Sequence, residues 1–452
     1  MTDTSEATAP IPIVHRGGWT EIVAVFRLRS YRWMFASMLS SSLAGWMSRV
    51  AQDWILLELT GNVALVGLTL TIQFLPTLLF GLWGGVLADR FSRLVVARAA
   101  HIVTTTCLVA VAVLALADAI TVWQIYVVAA VTGSATVFEA PARSALVTQI
   151  VPVDRIKTAI SLNALTFHGA GLFGPAVSGI VIAAFAAGWS LLAGACLSLV
   201  SLIAILCIRR HDLSVAYTAQ KGGGVADALR YAARKPPIMW SLVLLFFVAT
   251  FGMTHTVLYT AAASEVGFGT GAAGYGLYVA MGALGAVIGA ALTTNRRSVT
   301  LRSVAGAAIC FGLAMLLAAI SPDQVMFIVA VVLLSGLRIT FGTGAESLVQ
   351  LSTNPRMRGR VAALYFVILV GGQGGGAVLI GWLAQSHGLD VAYAVAGGIP
   401  LLAAILVCLV VARQRGLTLR ADLRRPRRPV RIVPKAPLEA AVDRQRRRVS
   451  AS

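Results

Sequence analysis

Apolar runs of about twenty residues, each long enough as a helix to cross the hydrocarbon core of a bilayer, recur along nearly the whole of this chain. The stretch IVTTTCLVAVAVLALA at 102–117 is one of them. It lacks the alternation of polar and apolar residues that a membrane-barrel strand requires. Backbone groups in lipid must be satisfied within their own segment, which favours helices. Hydrophobic residues make up 58% of the chain and charged residues 12%, whereas a water-soluble domain needs roughly 25% charged residues to cover its surface. The predicted fold class is an all-α membrane protein with twelve transmembrane helices in two six-helix halves. Residues 1–30 are polar with no apolar core segment, so no cleavable signal is expected. The cysteines at 107, 196, 207, 310 and 408 lie in apolar segments with no CxxC pair and read as small hydrophobes.

The spans are placed near 32–55, 65–88, 95–117, 122–143, 159–184, 187–208, 238–262, 272–293, 301–320, 324–348, 361–385 and 391–412. The long connection, 209–237, contains RRHDLSVAYTAQKGGG and RKPP and reads as a flexible cytoplasmic linker. Five domain segments follow: 1–31, 32–208, 209–237, 238–412 and 413–452. Lys and Arg collect on alternate loops, at Arg90, Arg93 and Arg98, Arg155 and Lys157, 209–235, Arg296 to Arg302, and Arg356 to Arg360. The other loops carry Glu58, Asp118, Glu265, Asp323 and Asp390 and no base. Positive charge marks the cytoplasmic side, so the chain is expected in the inner or plasma membrane with both termini inside. The net charge of +19 owes much to residues 413–452, with 13 basic and 3 acidic side chains. That tail is expected to be disordered and to meet anionic headgroups. It has no aromatic residue for base stacking, so no nucleic-acid partner is expected.

An internal echo appears on shifting the first half by 203 residues. Thr132-Gly133 meets Ser335-Gly336, Phe138 meets Phe341, and Pro152, Arg155, Lys157 and Ala159 meet Pro355, Arg358, Arg360 and Ala362. Parallel repeats joined by a central loop are a transporter architecture, with substrate bound near the midplane.

The stretch GVLADRFSR at 85–93 sets an acid and two bases between two apolar spans. It resembles the loop G-x-L-A-D-R-x-G-R-[KR] of the major facilitator superfamily through Gly85, Leu87, Ala88, Asp89, Arg90 and Arg93. Ser92 and Leu94 depart from the pattern. The resemblance implies a latch in which Asp89 accepts hydrogen bonds from the start of span 11, near Val361, with Arg90, Arg93 and Arg143 at the same cytoplasmic gate. Span 5 carries HGAGLFGPAVSG at 168–179, in which Gly174, Pro175 and Gly179 resemble an antiporter pattern of that superfamily. Ala170 and Ser178 replace two of its glycines. RVAQDWILLELTG at 49–61 and FLPTLLFGLWGGVLADR at 74–90 resemble the enterobactin-exporter and macrolide-efflux-like branch, which implies export of a sizeable, partly apolar compound.

Ionisable groups within spans are costly and usually functional. Arg49 and Asp53 stand four apart on span 1 and can pair, and Asp53 is the first candidate for a proton-coupling carboxylate. Glu139 and Arg143 repeat that spacing on span 4. Glu346 is a further proton-coupling or gate candidate on span 10. Arg338 either faces the cavity, where it attracts an anion, or neutralises a carboxylate of another helix. Gln52, Gln73, Asn163, His255, Tyr259, Arg338 and Gln373 are the candidate cavity residues. The histidines are scattered with no metal-ligand spacing, and no HExxH, GxSxG or P-loop occurs, so no metal, cofactor or enzymatic activity is expected. The functional expectation is a proton-coupled secondary exporter of a small amphipathic, drug- or siderophore-like compound. It is expected to act as a monomer by alternating access, with protons and membrane lipids as its other partners. A lipid or lysolipid flippase on the same scaffold is the alternative, and a membrane-embedded enzyme a weaker one.

Overall fold

The computed structural model describes residues 18–88, 92–152, 155–212, 225–294, 299–354, 357–414, 417–421 and 430–434. The described chain is helical throughout apart from one short hairpin. The first part runs α1 (Gly18–Phe26), α2 (Arg29–Thr60), α3 (Val63–Ala88), α4 (Arg93–Leu116), α5 (Val122–Ile150), α6 (Ile156–Phe185) and α7 (Ala187–Leu206). Then follow α8 (Val225–Ala233), α9 (Pro236–Phe247), α10 (His255–Ala263), α11 (Gly271–Thr294), α12 (Leu301–Ala319), α13 (Gln324–Leu351), α14 (Arg358–His387) and α15 (Leu389–Gln414).

Among the described residues, ten helices are long and apolar enough to cross a membrane. The predicted spans 32–55 and 159–184 fall on α2 and α6, which are not among the ten. In α2 the reason is chemical: Arg29, Arg32, Arg49, Asp53 and Glu58, with a run of serines, lower its apolarity although it is 32 residues long. Large apolar side chains such as Phe173, Phe185, Leu79, Leu333 and Leu406 lie on the outside. That arrangement suits hydrocarbon rather than water as the solvent.

The helices divide into two compact units. Unit 1 comprises 1–221 with 270–280, and unit 2 comprises 222–269 with 281–452. In unit 1, α2 lies against α6 and α7, α3 against α5, and α4 against α5 and α7. Its core at one end gathers Tyr31, Met34, Met38, Leu94, Leu146 and Ile205. Arg98 of α4 closes the end of α7, donating to the carbonyls of Leu206 at 3.0 Å and Ile208 at 2.6 Å. These are carbonyls a helix terminus leaves without an intrahelical donor.

In unit 2, α12 lies against α13 and α15, and α14 against α10 and α15. Lys235, just before α9, donates to the Ser352 carbonyl at 3.2 Å. The repeat seen in the sequence has a packing counterpart. A Cβ on Gly133 of α5 would overlap the Gln73 backbone of α3, and one on the repeat-equivalent Gly336 of α13 would lie 2.9 Å from the Gly285 carbonyl of α11. Both helix crossings depend on the missing side chain.

The predicted span 238–262 is found as one crossing, Pro236–Ala263, within which α9 and α10 flank a π turn at Val248–Gly252, closed by the Met253 amide on the Val248 carbonyl at 2.9 Å. Gly372 and Gly376 of α14 back onto Thr250 there, so the extra residue of the π turn finds room beside a glycine face. The basic tail, expected to have no regular element, contains β1 (Leu417–Ala421) and β2 (Val430–Pro434), paired antiparallel. Their register sets Leu419 opposite Ile432 and Ala421 opposite Val430. Leu417, Leu419 and Ala421 alternate with Thr418 and Arg420, the period-two pattern of a strand, within a segment otherwise dominated by arginine.

Candidate functional site

Unit 1 contains a chain of buried polar contacts that runs through four helices. On α5, Glu139 and Arg143 stand one turn apart, and Arg143 Nη1 lies 3.4 Å from Glu139 Oε1. The same carboxylate oxygen faces His101 Nε2 of α4 at 3.7 Å. The other ring nitrogen, Nδ1, lies 3.1 Å from Ser201 Oγ of α7. Ser201 and Ser37 of α2 then exchange hydrogen bonds: Ser201 Oγ donates to the Ser37 carbonyl at 2.8 Å, and Ser37 Oγ to the Ser201 carbonyl at 3.0 Å. One turn further along α4, Thr105 Oγ1 donates to the Ser198 carbonyl at 3.2 Å. His101 is 6% exposed, and both serines are buried. Small hydroxyl residues let α2, α4 and α7 approach closely while Ser37, Ser201, Thr105 and Ser198 partner one another. Sequence reasoning placed Glu139 and Arg143 but not His101, Ser201 or Ser37. A usable signal existed in the matching steps on two helices, His101 and Thr105 on α4 and Ser198 and Ser201 on α7.

The second acid–base pair of unit 1 is arranged differently. Asp53 of α2 is 2% exposed and Gln52 beside it is buried. The expected pairing with Arg49 does not close: among the described residues no ion pair joins them. Arg49 Nε and Asp53 Oδ2 are both buried without a hydrogen-bond partner. The Arg49 guanidinium lies instead over the rings of Trp46, 4.9 Å from its centroid, and Phe74, at 5.4 Å. Aromatic faces attract a cation that has lost its water. Next along α2, Trp54 stacks on Tyr275 with centroids 5.2 Å apart, and its Nε1 donates to Glu58 at 2.6 Å.

The glycines singled out on α6 act on the same stretch. A Cβ on Gly174 would stand 2.8 Å from the Trp46 Cβ, and one on Gly179 would stand 2.6 Å from the Gly276 carbonyl. Gly174 thus opens the slot that seats Trp46 under Arg49. Pro175 lies buried between the two contacts. Its missing N–H removes one helix bond at that point.

In unit 2, Tyr259 of α10 is fully buried, and its hydroxyl lies 2.9 Å from Ser335 Oγ of α13. The His255 ring meets it edge-on at 5.6 Å. Arg338, one turn beyond Ser335, keeps a buried Nε with no partner among the described residues. Glu346 does not join this group. It is exposed, and accepts from Gln350 Nε2 at 3.1 Å. Gln373 lies half-buried on the glycine face of α14, Asn163 half-buried on α6, and Gln73 half-buried at the α3–α5 crossing. Gly85 falls within α3 and Arg93 opens α4. Asp89 and Arg90 lie outside the described residues. An apolar cavity of about 570 Å³ lies between α4 and α5, lined by Val96, Ala99, Val103, Val131, Ala135 and Phe138 among others.

Residues 20–450 match the family of transmembrane secretion effectors. The staphyloferrin A transporter of Staphylococcus aureus is 24% identical over 186 residues, 40% of this chain and 45% of that protein. The match thus spans less than half the length of that relative. The uncharacterized MFS-type transporter YfiS of Bacillus subtilis is 24% identical over 388 residues, 80% of this chain and 89% of its own length. Among solved structures, the nucleoside transporter NupG superposes with a TM-score of 0.66 at 13% identity, covering 84% of this chain and 99% of the other. A bacterial homolog of the human lysosomal transporter Spinster gives 0.61 at 16% identity, covering 85% and 96%. These structural likenesses concern the fold.

Proposed function

The chain belongs to the transmembrane secretion effector family of the major facilitator superfamily, and from that premise we propose that it is a proton-coupled exporter of a small amphipathic compound. It is a multi-pass membrane transporter and not an enzyme. The observation that carries the finer reading is the Arg143–Glu139–His101 cluster: titratable groups inside an apolar helix bundle are retained at a cost that a proton-binding role accounts for. Export by alternating access fits the two units, and a membrane potential of 100 mV contributes about 2.3 kcal/mol per charge moved. The name of the Staphylococcus relative supports a siderophore-like cargo. The orphaned Nε of Arg338 in unit 2 supports a cargo carrying an anionic group. We place both termini on the cytoplasmic side and take the monomer as the working form, with the basic tail against anionic lipid.

The test uses the full chain in proteoliposomes with an imposed pH gradient, and ethidium and staphyloferrin A as probes. Uphill movement of either probe that stops when nigericin collapses the gradient is the expected result. Movement of a probe that is indifferent to the gradient overturns the coupling. The lysolipid-flippase reading draws on the apolar groove of about 570 Å³ between α4 and α5. Gradient-dependent flipping of a fluorescent lysolipid, with neither soluble probe moved, selects it.

A further inference from the structure

Each hydroxyl has one proton to give, and that count decides the state of the polar chain in unit 1. Ser201 Oγ has three neighbours: the Ser37 carbonyl at 2.8 Å, Ser37 Oγ at 3.0 Å and His101 Nδ1 at 3.1 Å. Its proton goes to the carbonyl, the nearest acceptor, and the Ser37 proton goes to the Ser201 carbonyl in return. Ser201 Oγ then has only lone pairs to offer the imidazole. With both serine protons so placed, Nδ1 carries the hydrogen and donates it. A neutral ring with its proton on Nδ1 presents a bare lone pair at Nε2. That lone pair faces Glu139 Oε1 at 3.7 Å. A lone pair set against a carboxylate, inside a site from which water is largely excluded, is unfavourable. One proton between the two atoms removes the conflict.

We infer that His101 and Glu139 together form a site for a single exchangeable proton, held between Nε2 and Oε1. Its part in transport, as the station that loads the coupling proton, rests on the proton-coupled reading above. The charged group that faces the pair from α5 is Arg143, 3.4 Å from the shared oxygen. From α7 and α2 the facing groups are the hydroxyls of Ser201 and Ser37. On α4 itself, Arg98 is turned away to the carbonyls at the end of α7. Arg143 supplies the link to movement. The carboxylate oxygen that receives the proton is the one that holds Arg143, so loading the site loosens the α5 ion pair and unloading restores it. The serine pair keeps the ring in the tautomer that makes this exclusive.

The proton site is tested without reference to cargo, on the full chain in nanodiscs labelled with 15N-histidine. Between about pH 5 and 9, the range in which imidazole ordinarily titrates, His101 is expected to keep Nδ1–H throughout. Nε2 and one carboxylic-acid infrared band should change in the same step. H101N identifies the imidazole signal and retains a donor to Ser201, and E139Q removes the infrared band. A His101 ring protonated at Nε2 alone, with an ionised Glu139 across the range, overturns the site. S201A, which leaves both titrating groups in place, is expected to release the tautomer so that Nε2–H appears; an unchanged spectrum refutes the tautomer argument.

The transport role is read separately in proteoliposomes with ethidium. In H101N and E139Q, gradient-driven flux should fall by about tenfold or more, the factor carried by one unit of differential proton affinity, while ethidium exchange at equal pH persists. Driven flux that matches the unsubstituted protein in both variants overturns the coupling role. If the unsubstituted protein ignores the gradient, the proton-coupled reading fails while the titration still decides the site.

Discussion

Two acid–base pairs in unit 1 share one spacing and end in opposite arrangements. On α5 the acid precedes the base, Glu139 then Arg143, and the pair closes at 3.4 Å and takes in His101. On α2 the base precedes the acid, Arg49 then Asp53, and no ion pair closes between them; among the described residues Arg49 Nε and Asp53 Oδ2 both stay without a hydrogen-bond partner, where on α5 only Arg143 Nε does. Order along the helix matters because side chains lean toward the N-terminus and the helix dipole favours the acid first. Surroundings matter as much. Arg49 has the rings of Trp46 and Phe74 to lie on, whereas Arg143 has a carboxylate and a neighbouring imidazole. An i, i+4 pair read from sequence is therefore an opportunity that the neighbouring helices accept or decline.

The comparison can be broken by mutation. The largest effect is expected for E139Q, which leaves Arg143 without its acid in a mostly buried site; unfolding in mixed micelles should show a loss of about 2 kcal/mol. The same change in E139Q/R143Q should cost less than the sum of the single changes, and a coupling near zero would reduce α5 to the status of α2. D53N is expected to act with the opposite sign. It replaces a buried carboxylate, one oxygen of which has no hydrogen-bond partner, by a neutral amide and should raise stability by about 1 kcal/mol. A loss of stability in D53N would mean that Arg49 and Asp53 are paired after all. Removing one ring beneath the guanidinium in F74L should cost about 0.5–1 kcal/mol, less if R49Q is already present. The smallest effect belongs to E346Q, whose exposed carboxylate accepts from Gln350; stability should stay within about 0.5 kcal/mol.

Some of this was legible beforehand. Membrane helices and their approximate limits follow from apolar runs, because lipid imposes its solvent rule on every residue of a span, and the family resemblance follows from a few short motifs. The glycines of α6 were legible as packing residues, though not that Trp46 is what Gly174 seats. Glu139 and Arg143 were legible because they share a helix. The π turn at Val248–Gly252 within the span Pro236–Ala263 carried no local signal, since its room is made by glycines on α14, more than a hundred residues later. Glu346 was legible as a charge within a span, but not that it would be exposed and accept from Gln350 rather than join the Tyr259–Ser335 group.

From the sequence alone came the solvent of the chain, its helices and its kinship, because each rests on properties summed along one segment. The tertiary structure alone decided which polar groups meet. Ser37 and Ser201 are 164 residues apart, and His101 and Glu139 come from different spans. Such partners are set by which faces of neighbouring helices touch, a choice made by the fit of side chains across several helices at once and written in no single stretch of residues.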